Sequence, residues 1–259
     1  MDLNLHRSET AQSATATMGQ FHSTTSRAIQ ITRTIGIVAA GMFIIALALV
    51  FLVAPRAQDA AGGQVQRIFY FHVSSAWNGF GAWIVTAIAG ALYLKRRDLR
   101  FDRIAASSAE IGVLFITMVL FTGMLWARPV WNTWWTWDFK LTLSALQFLM
   151  YIAYLMLRTG IDDPHRRARF SAVYGIIGSL TIPLNFLVSR VLDSIHPAVF
   201  GPSVNATQQG GFGITPDMGM ILGFCCITFT MLYVYMLRTR IGLQERADAL
   251  AARRAELSY

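Results

Sequence analysis

The chain has 259 residues, of which 54% fall in the hydrophobic set and only 14% are charged, against roughly 25% charged in an average soluble domain. That balance excludes a large water-soluble core and points to lipid as the solvent. The net charge of +8 would suit nucleic acid only with a basic patch on a soluble module, and no such module is visible.

Residues 1–33 are rich in Ser, Thr, Gln and Ala and read as a flexible polar tail, with His6 and His22 as solvated residues. No short apolar segment with a small-residue cleavage site occurs there, so a removable signal peptide is not expected. A first apolar run, Thr34 to Ala54, has the ~20 residues a helix needs to cross ~30 Å of hydrocarbon, and Pro55 stops it. After a polar loop containing Gly62 and Gly63, a second run extends from Ile68 to Leu94 and ends in Lys95, Arg96 and Arg97. A third, Ala105 to Ala127, leads through Arg128 and Pro129 into a tryptophan-rich stretch.

The fourth run, Phe139 to Leu157, ends at Arg158 and a turn over Asp162, Asp163 and Pro164. The fifth, Ser171 to about Val188, contains Pro183, which is expected to kink it where a carbonyl loses its donor. A polar loop covers Ser189 to Pro216. The sixth run, Asp217 to Leu237, carries the only cysteines, Cys225 and Cys226. Adjacent residues pair only with strain and the spacing is not that of a thiolate metal site, so both read as small packing residues. A charged tail follows, in which Glu245 to Glu256 is patterned as a short surface helix.

The reading is therefore all-α: a polytopic membrane protein with a tail over 1–33, a six-helix membrane domain over 34–238 and a charged tail over 239–259. Placing the N-terminus in the cytoplasm collects all but five of the 22 Lys and Arg on that side, the exceptions being Arg56, Arg67, Arg128, Lys140 and Arg190. This positive-inside bias gives an N-in/C-in topology and explains the basic charge through the lipid bilayer, without nucleic acid.

Alternation of spans then puts the 55–67 loop, the tryptophan stretch and the 189–216 loop on the outer face. The stretch is Trp131-Asn132-Thr133-Trp134-Trp135-Thr136-Trp137-Asp138, with four of the seven tryptophans. If helical, it places Trp131, Trp134 or Trp135, and Asp138 on one face, an aromatic shelf. Interfacial anchoring accounts for one or two such rings; four in seven positions suit a surface for a large flat apolar ligand.

His72, one helical turn into the second run, and His196, before Pro197, fall on the same side, while His165 falls on the other. Each outer histidine has an ordinary reading as well: a hydrogen bond to a neighbouring helix for His72, a surface residue for His196. Neutral imidazoles ligate haem iron, and a porphyrin needs an aromatic surface and a cation for its propionates. Arg128, Lys140 and Arg190 stand close in sequence to the cluster. The hypothesis is a haem at the outer surface, with His72 and His196 on the iron and the tryptophans along one edge. Two alternatives are a permease carrying haem or another small molecule, which calls for polar groups at mid-membrane, and an electron-transfer enzyme, which calls for histidines at mid-span. No nucleotide-binding Gly-Lys-Ser/Thr loop occurs, so any ATP is hydrolysed by another subunit.

The segment from Trp131 to Asp138 resembles the tryptophan-rich WWD signature of the haem-handling proteins of cytochrome c maturation. Six spans, Phe69-Tyr70-Phe71-His72-Val73 and Ile195-His196-Pro197 are similar to the CcmC branch, haem exporter protein C, over roughly residues 35–240. The resemblance implies a non-enzymatic carrier in the cytoplasmic (inner) membrane. It implies transiently bound, b-type haem presented on the outer face and passed to a membrane-anchored haem chaperone, beside an ABC transporter. His72 and His196 match the two axial histidines, and Trp131, Trp134, Trp135, Trp137 and Asp138 match the signature. The sequence departs from the family pattern at Asn132 in place of Gly, at Phe139-Lys140 in place of Ala-Arg, at Ser74 in place of Pro, and at Val191-Leu192 in place of tryptophans.

Overall fold

The computed structural model describes residues 27–56, 63–192, 194–196 and 214–257. The tail up to residue 26, Gly62 and the 197–213 part of the last loop lie outside the described residues. Every element of the described residues is helical. Helix α1 spans Arg27–Val53 and ends in a π-helical turn at Leu49–Val53, just before Pro55. A 3-10 turn at Gly63–Arg67 leads into α2 (Ile68–Arg96), followed by α3 (Leu99–Trp131), α4 (Phe139–Thr159), α5 (Pro164–Ser179), α6 (Thr181–Val191) and α7 (Pro216–Leu257). Helices α5 and α6 together make the fifth of six segments long and apolar enough to cross a membrane.

The helices outrun the apolar runs because their polar first turns are capped. Asp98 accepts from Arg100 N at the start of α3, and Asp163 accepts from Arg166 N at the start of α5, where Pro164 needs no donor. The fifth span breaks at Leu180, three residues before Pro183, because a proline deprives the carbonyl four positions back of its partner. The expected separate tail helix is instead continuous with α7, a rod of 42 residues running about 63 Å at 1.5 Å per residue. Its far half is held by α3, through Arg240 to Glu110, Gln244 to Ser107 and Asp248 to Arg103.

Helix α2 lies at the centre, against α3, α5 and α7. In lipid, packing and polar contacts drive association, so small residues mark the seams. Gly178 leaves room for the buried Trp83 ring, and Gly112 for the Tyr151 ring, whose hydroxyl donates to Gly79 O at 2.7 Å. At the end remote from the tryptophans, Arg158 forks onto Asp102 at 2.6 and 2.8 Å. There too Tyr93 donates to His165 O at 2.9 Å, and Arg238 on α7 donates to Thr32 near the described start of α1.

Candidate functional site

The segment after α3 is not helical. Trp131 is the last helical residue, Asn132 turns the chain at φ 56° and ψ 22°, and helix resumes only at Phe139. The left-handed turn is the reason for the irregular path, and Asn tolerates that region better than any side chain but none. Gly and Asn are thus the two residues suited to position 132. Arg128 reinforces the turn, its guanidinium donating to Asn132 O at 2.8 Å and Oδ1 at 2.7 Å; Arg128 itself is exposed.

Freed from a helix, the four indoles do not share one face. Trp131 and Trp135 turn inward to line a cleft, while Trp134 and Trp137 are 54% and 77% exposed. Trp126, one turn earlier on α3, joins the inner pair, edge-on to Trp131 with ring centres 4.8 Å apart. The remaining walls come from Ile68, His72 and Val73 on α2, Leu120 and Gly123 on α3, Leu141 and Ser144 on α4, and His196. The cleft is open, with about 710 Å³ of empty space when its mouth is included.

Asp138 organises this end of the bundle. Its Oδ1 caps α4 by accepting from Lys140 N at 2.9 Å and Leu141 N at 3.2 Å, and its Oδ2 accepts from Thr136 Oγ1 at 2.9 Å. Ser194 Oγ donates to the same carboxylate at 2.9 Å and accepts from His196 N at 3.1 Å. One side chain therefore ties together the tryptophan segment, the start of α4 and the strand of loop that carries His196.

The outcome is that His72 and His196, 124 positions apart in sequence by their numbers, bring their ring centres within 6.1 Å at an interplanar angle of 34°. His72 is also set chemically. Thr122 Oγ1 donates to Met118 O at 2.5 Å, so it has a lone pair for the His72 Nδ1–H, 3.0 Å away. With the Nδ1 proton directed at Thr122, Nε2 is the nitrogen whose lone pair could meet a metal. Gly123 permits the approach: a Cβ there would stand 3.2 Å from His72 Cε1. With metal–nitrogen bonds of about 2 Å and each ring centre roughly one ångström beyond its nitrogen, two imidazoles on opposite sides of one metal stand about 6 Å apart. The observed pair has that spacing.

Cations at this end of the bundle hold carbonyls. Lys140 Nζ donates to Asn185 O at 3.2 Å and lies 5.9 Å from the Phe186 ring; Arg190 donates to Phe186 O at 3.1 Å. Among the described residues no group of three His, Cys, Asp or Glu side chains could hold a bare metal ion.

The profile of the family described as Heme exporter protein C matches residues 12–254. The chain belongs to the haem exporter protein C family. A Heme exporter protein C from Bradyrhizobium diazoefficiens is 32% identical over 176 residues, covering 68% of this chain and 65% of that protein. One from Rhodobacter capsulatus is 32% identical over 191 residues, covering 73% of this chain and 77% of its own length. A ccmC-like mitochondrial protein of cytochrome c biosynthesis from Marchantia polymorpha is 30% identical over 170 residues, covering 64% and 72%. The chain spans just under two thirds of the Bradyrhizobium relative. Membership and the six apolar helices carry the coarse assignment: a multi-pass membrane protein of a family whose members are named for haem export and cytochrome c biosynthesis.

Thr122, Ser194 and Trp126 were not singled out by sequence reasoning. Thr122 and Trp126 sit inside an apolar run and read there as span residues, and Ser194 is one more polar loop residue. The one signal for Thr122 is that it lies on the span next in sequence to the one carrying His72. Nothing local marked Ser194.

Proposed function

We propose that this protein holds haem as cargo between His72 and His196 at the outer face of the cytoplasmic membrane and hands it to a membrane-anchored haem chaperone, alongside an ABC transporter. The observation that carries the reading is the 6.1 Å spacing of the two imidazoles over a cleft walled by Trp126, Trp131 and Trp135. The positive-inside bias supports the orientation, with both chain ends in the cytoplasm. Family membership supports the cargo.

Each side chain then has a role. His72 and His196 ligate the iron, and Thr122 fixes the tautomer of His72. Asp138 holds the His196 loop through Ser194. Trp131 and Trp135 cover the porphyrin face or edge, while the exposed Trp134 and Trp137 are left on the surface where a chaperone docks. Lys140, beside the lining residue Leu141, supplies a cation for a propionate; Arg128 shapes the turn into the tryptophan segment. A His196 borne on a loop rather than on a helix suits a carrier, because a ligand on a loop can withdraw without disturbing the bundle.

The test is the optical spectrum of the purified protein loaded with haem. His72→Ala and His196→Ala each weaken the haem band sharply, and His165→Ala, at the opposite end, leaves it intact. An unchanged band in both outer variants removes the ligand assignment.

A further inference from the structure

Beyond the apolar run that ends at Leu237, α7 continues to Leu257 and carries leucine at every seventh position: Leu243, Leu250 and Leu257 are 53%, 58% and 87% exposed. The apolar run from Asp217 to Leu237 already has the length that crosses the hydrocarbon. Leu250 and Leu257 stand about 18 and 29 Å beyond Arg238 at 1.5 Å per residue, so water, not lipid, is what they face. A seven-residue repeat drifts only about 20° per step round a helix, which keeps the three leucines on one stripe. Ala247, exposed and one turn after Leu243, lies beside it.

This stripe is not the face that fastens α7 to the bundle. Arg240, Gln244 and Asp248, spaced at successive turns, meet Glu110, Ser107 and Arg103 on α3, and that face lies about a third of a turn round from the leucines at 3.6 residues per turn. The flanks of the stripe are basic. Arg246 and Arg253 border it on one side and Arg254 on the other; all three are exposed, and none is in an ion pair among the described residues. Glu245 and Glu256 lie well round the helix from the leucines. A second copy of the chain laid along the stripe would bring this arginine cluster against its own counterpart, a juxtaposition that like charges disfavour.

We propose that the stripe from Leu243 to Leu257 is a docking surface for an acidic amphipathic helix of a partner protein, one with apolar residues at the same spacing and Asp or Glu along both flanks. The leucines seat between the partner's apolar side chains as in a coiled coil. Carboxylates on its flanks meet Arg246, Arg253 and Arg254, whose guanidinium forks suit paired carboxylate oxygens. The three ties to α3 hold the rod in place before the partner arrives, which lowers the ordering cost of binding. Neither histidine and no wall of the cleft takes part, so the inference stands apart from the haem reading.

The experiment titrates the full-length protein, in phosphatidylcholine nanodiscs, with a labelled synthetic leucine-heptad helix carrying Glu on both flanks, followed by fluorescence anisotropy. The Glu flanks keep the probe from pairing with itself; a second probe has Lys in their place. The Glu probe binds and the Lys probe does not. Leu250→Ala with Leu257→Ala, both exposed and so neutral to the fold, lowers the affinity for the Glu probe about tenfold, and Arg246→Glu with Arg253→Glu moves the preference to the Lys probe. Failure of the Glu probe to bind, equal binding of both probes, or a leucine variant that titrates like wild type overturns the docking surface. Two further results overturn it by naming another occupant: Glu-probe binding abolished in phosphatidylglycerol discs, which assigns the stripe to a lipid surface, or a wild-type dimer that the leucine variant dissolves, which assigns it to a second copy.

Discussion

Ser194→Ala separates the anchoring of His196 from the stability of the bundle. In the structure Ser194 Oγ bridges Asp138 Oδ1 at 2.9 Å and His196 N at 3.1 Å. Removing the hydroxyl takes away a hydrogen bond to a charged acceptor, worth about 1.5–3 kcal/mol. The α4 cap survives, since Lys140 N and Leu141 N still find Asp138. Where that bond holds His196 in register with His72, its loss converts to haem affinity weaker by roughly ten- to a hundredfold, at 1.4 kcal/mol per factor of ten. Asp138→Ala loses the same bridge and also the cap, a further cost of about 1 kcal/mol to the helix. Haem titration followed at the Soret band, run beside thermal melts in detergent, reads both quantities. The expected pattern is weakened haem binding in both variants and a melting temperature lowered more in Asp138→Ala than in Ser194→Ala. A Ser194→Ala protein that titrates like wild type refutes the bridge.

Three further outcomes follow from the same structure. Thr122→Val removes the acceptor for His72 Nδ1–H and lowers haem affinity about 10- to 100-fold, the usual effect of losing such an outer partner, checked by the same titration. Trp135→Ala lowers haem retention by the isolated protein more than Trp134→Ala does, because Trp135 lines the cleft and Trp134 faces out; equal losses in a retention assay contradict the division. Arg158→Ala leaves Asp102 buried without its partner, their side chains being 11% and 7% exposed, and destabilises by about 3–5 kcal/mol; a thermal melt within experimental error of wild type contradicts it.

The spans were legible because lipid imposes a length and a composition that the sequence displays directly: Pro55, the Lys95 to Arg97 cluster and Arg158 each sit within a few residues of a helix end. What hydropathy does not register is the capped polar turn, so α3 and α5 begin earlier than their apolar runs, at Asp98 and Asp163. The convergence of His72 and His196 followed from counting alternations alone. The form of the tryptophan segment did not. A 3.6-residue spacing makes it an amphipathic helix on paper, but Asn132 ends α3 in a left-handed turn and Asp138 caps the next helix, so the five residues between them fall outside both helices. The pairing of Ser194 with Asp138 depends on two segments meeting in space, which no periodicity encodes.

The most direct measurement is a structure of the protein with haem bound, determined in a lipid nanodisc. Iron density between His72 and His196, with a ring nitrogen of each about 2 Å away and the porphyrin against Trp131 and Trp135, is the predicted result. Haem seated elsewhere in the bundle, or ligated by neither imidazole, contradicts the assignment.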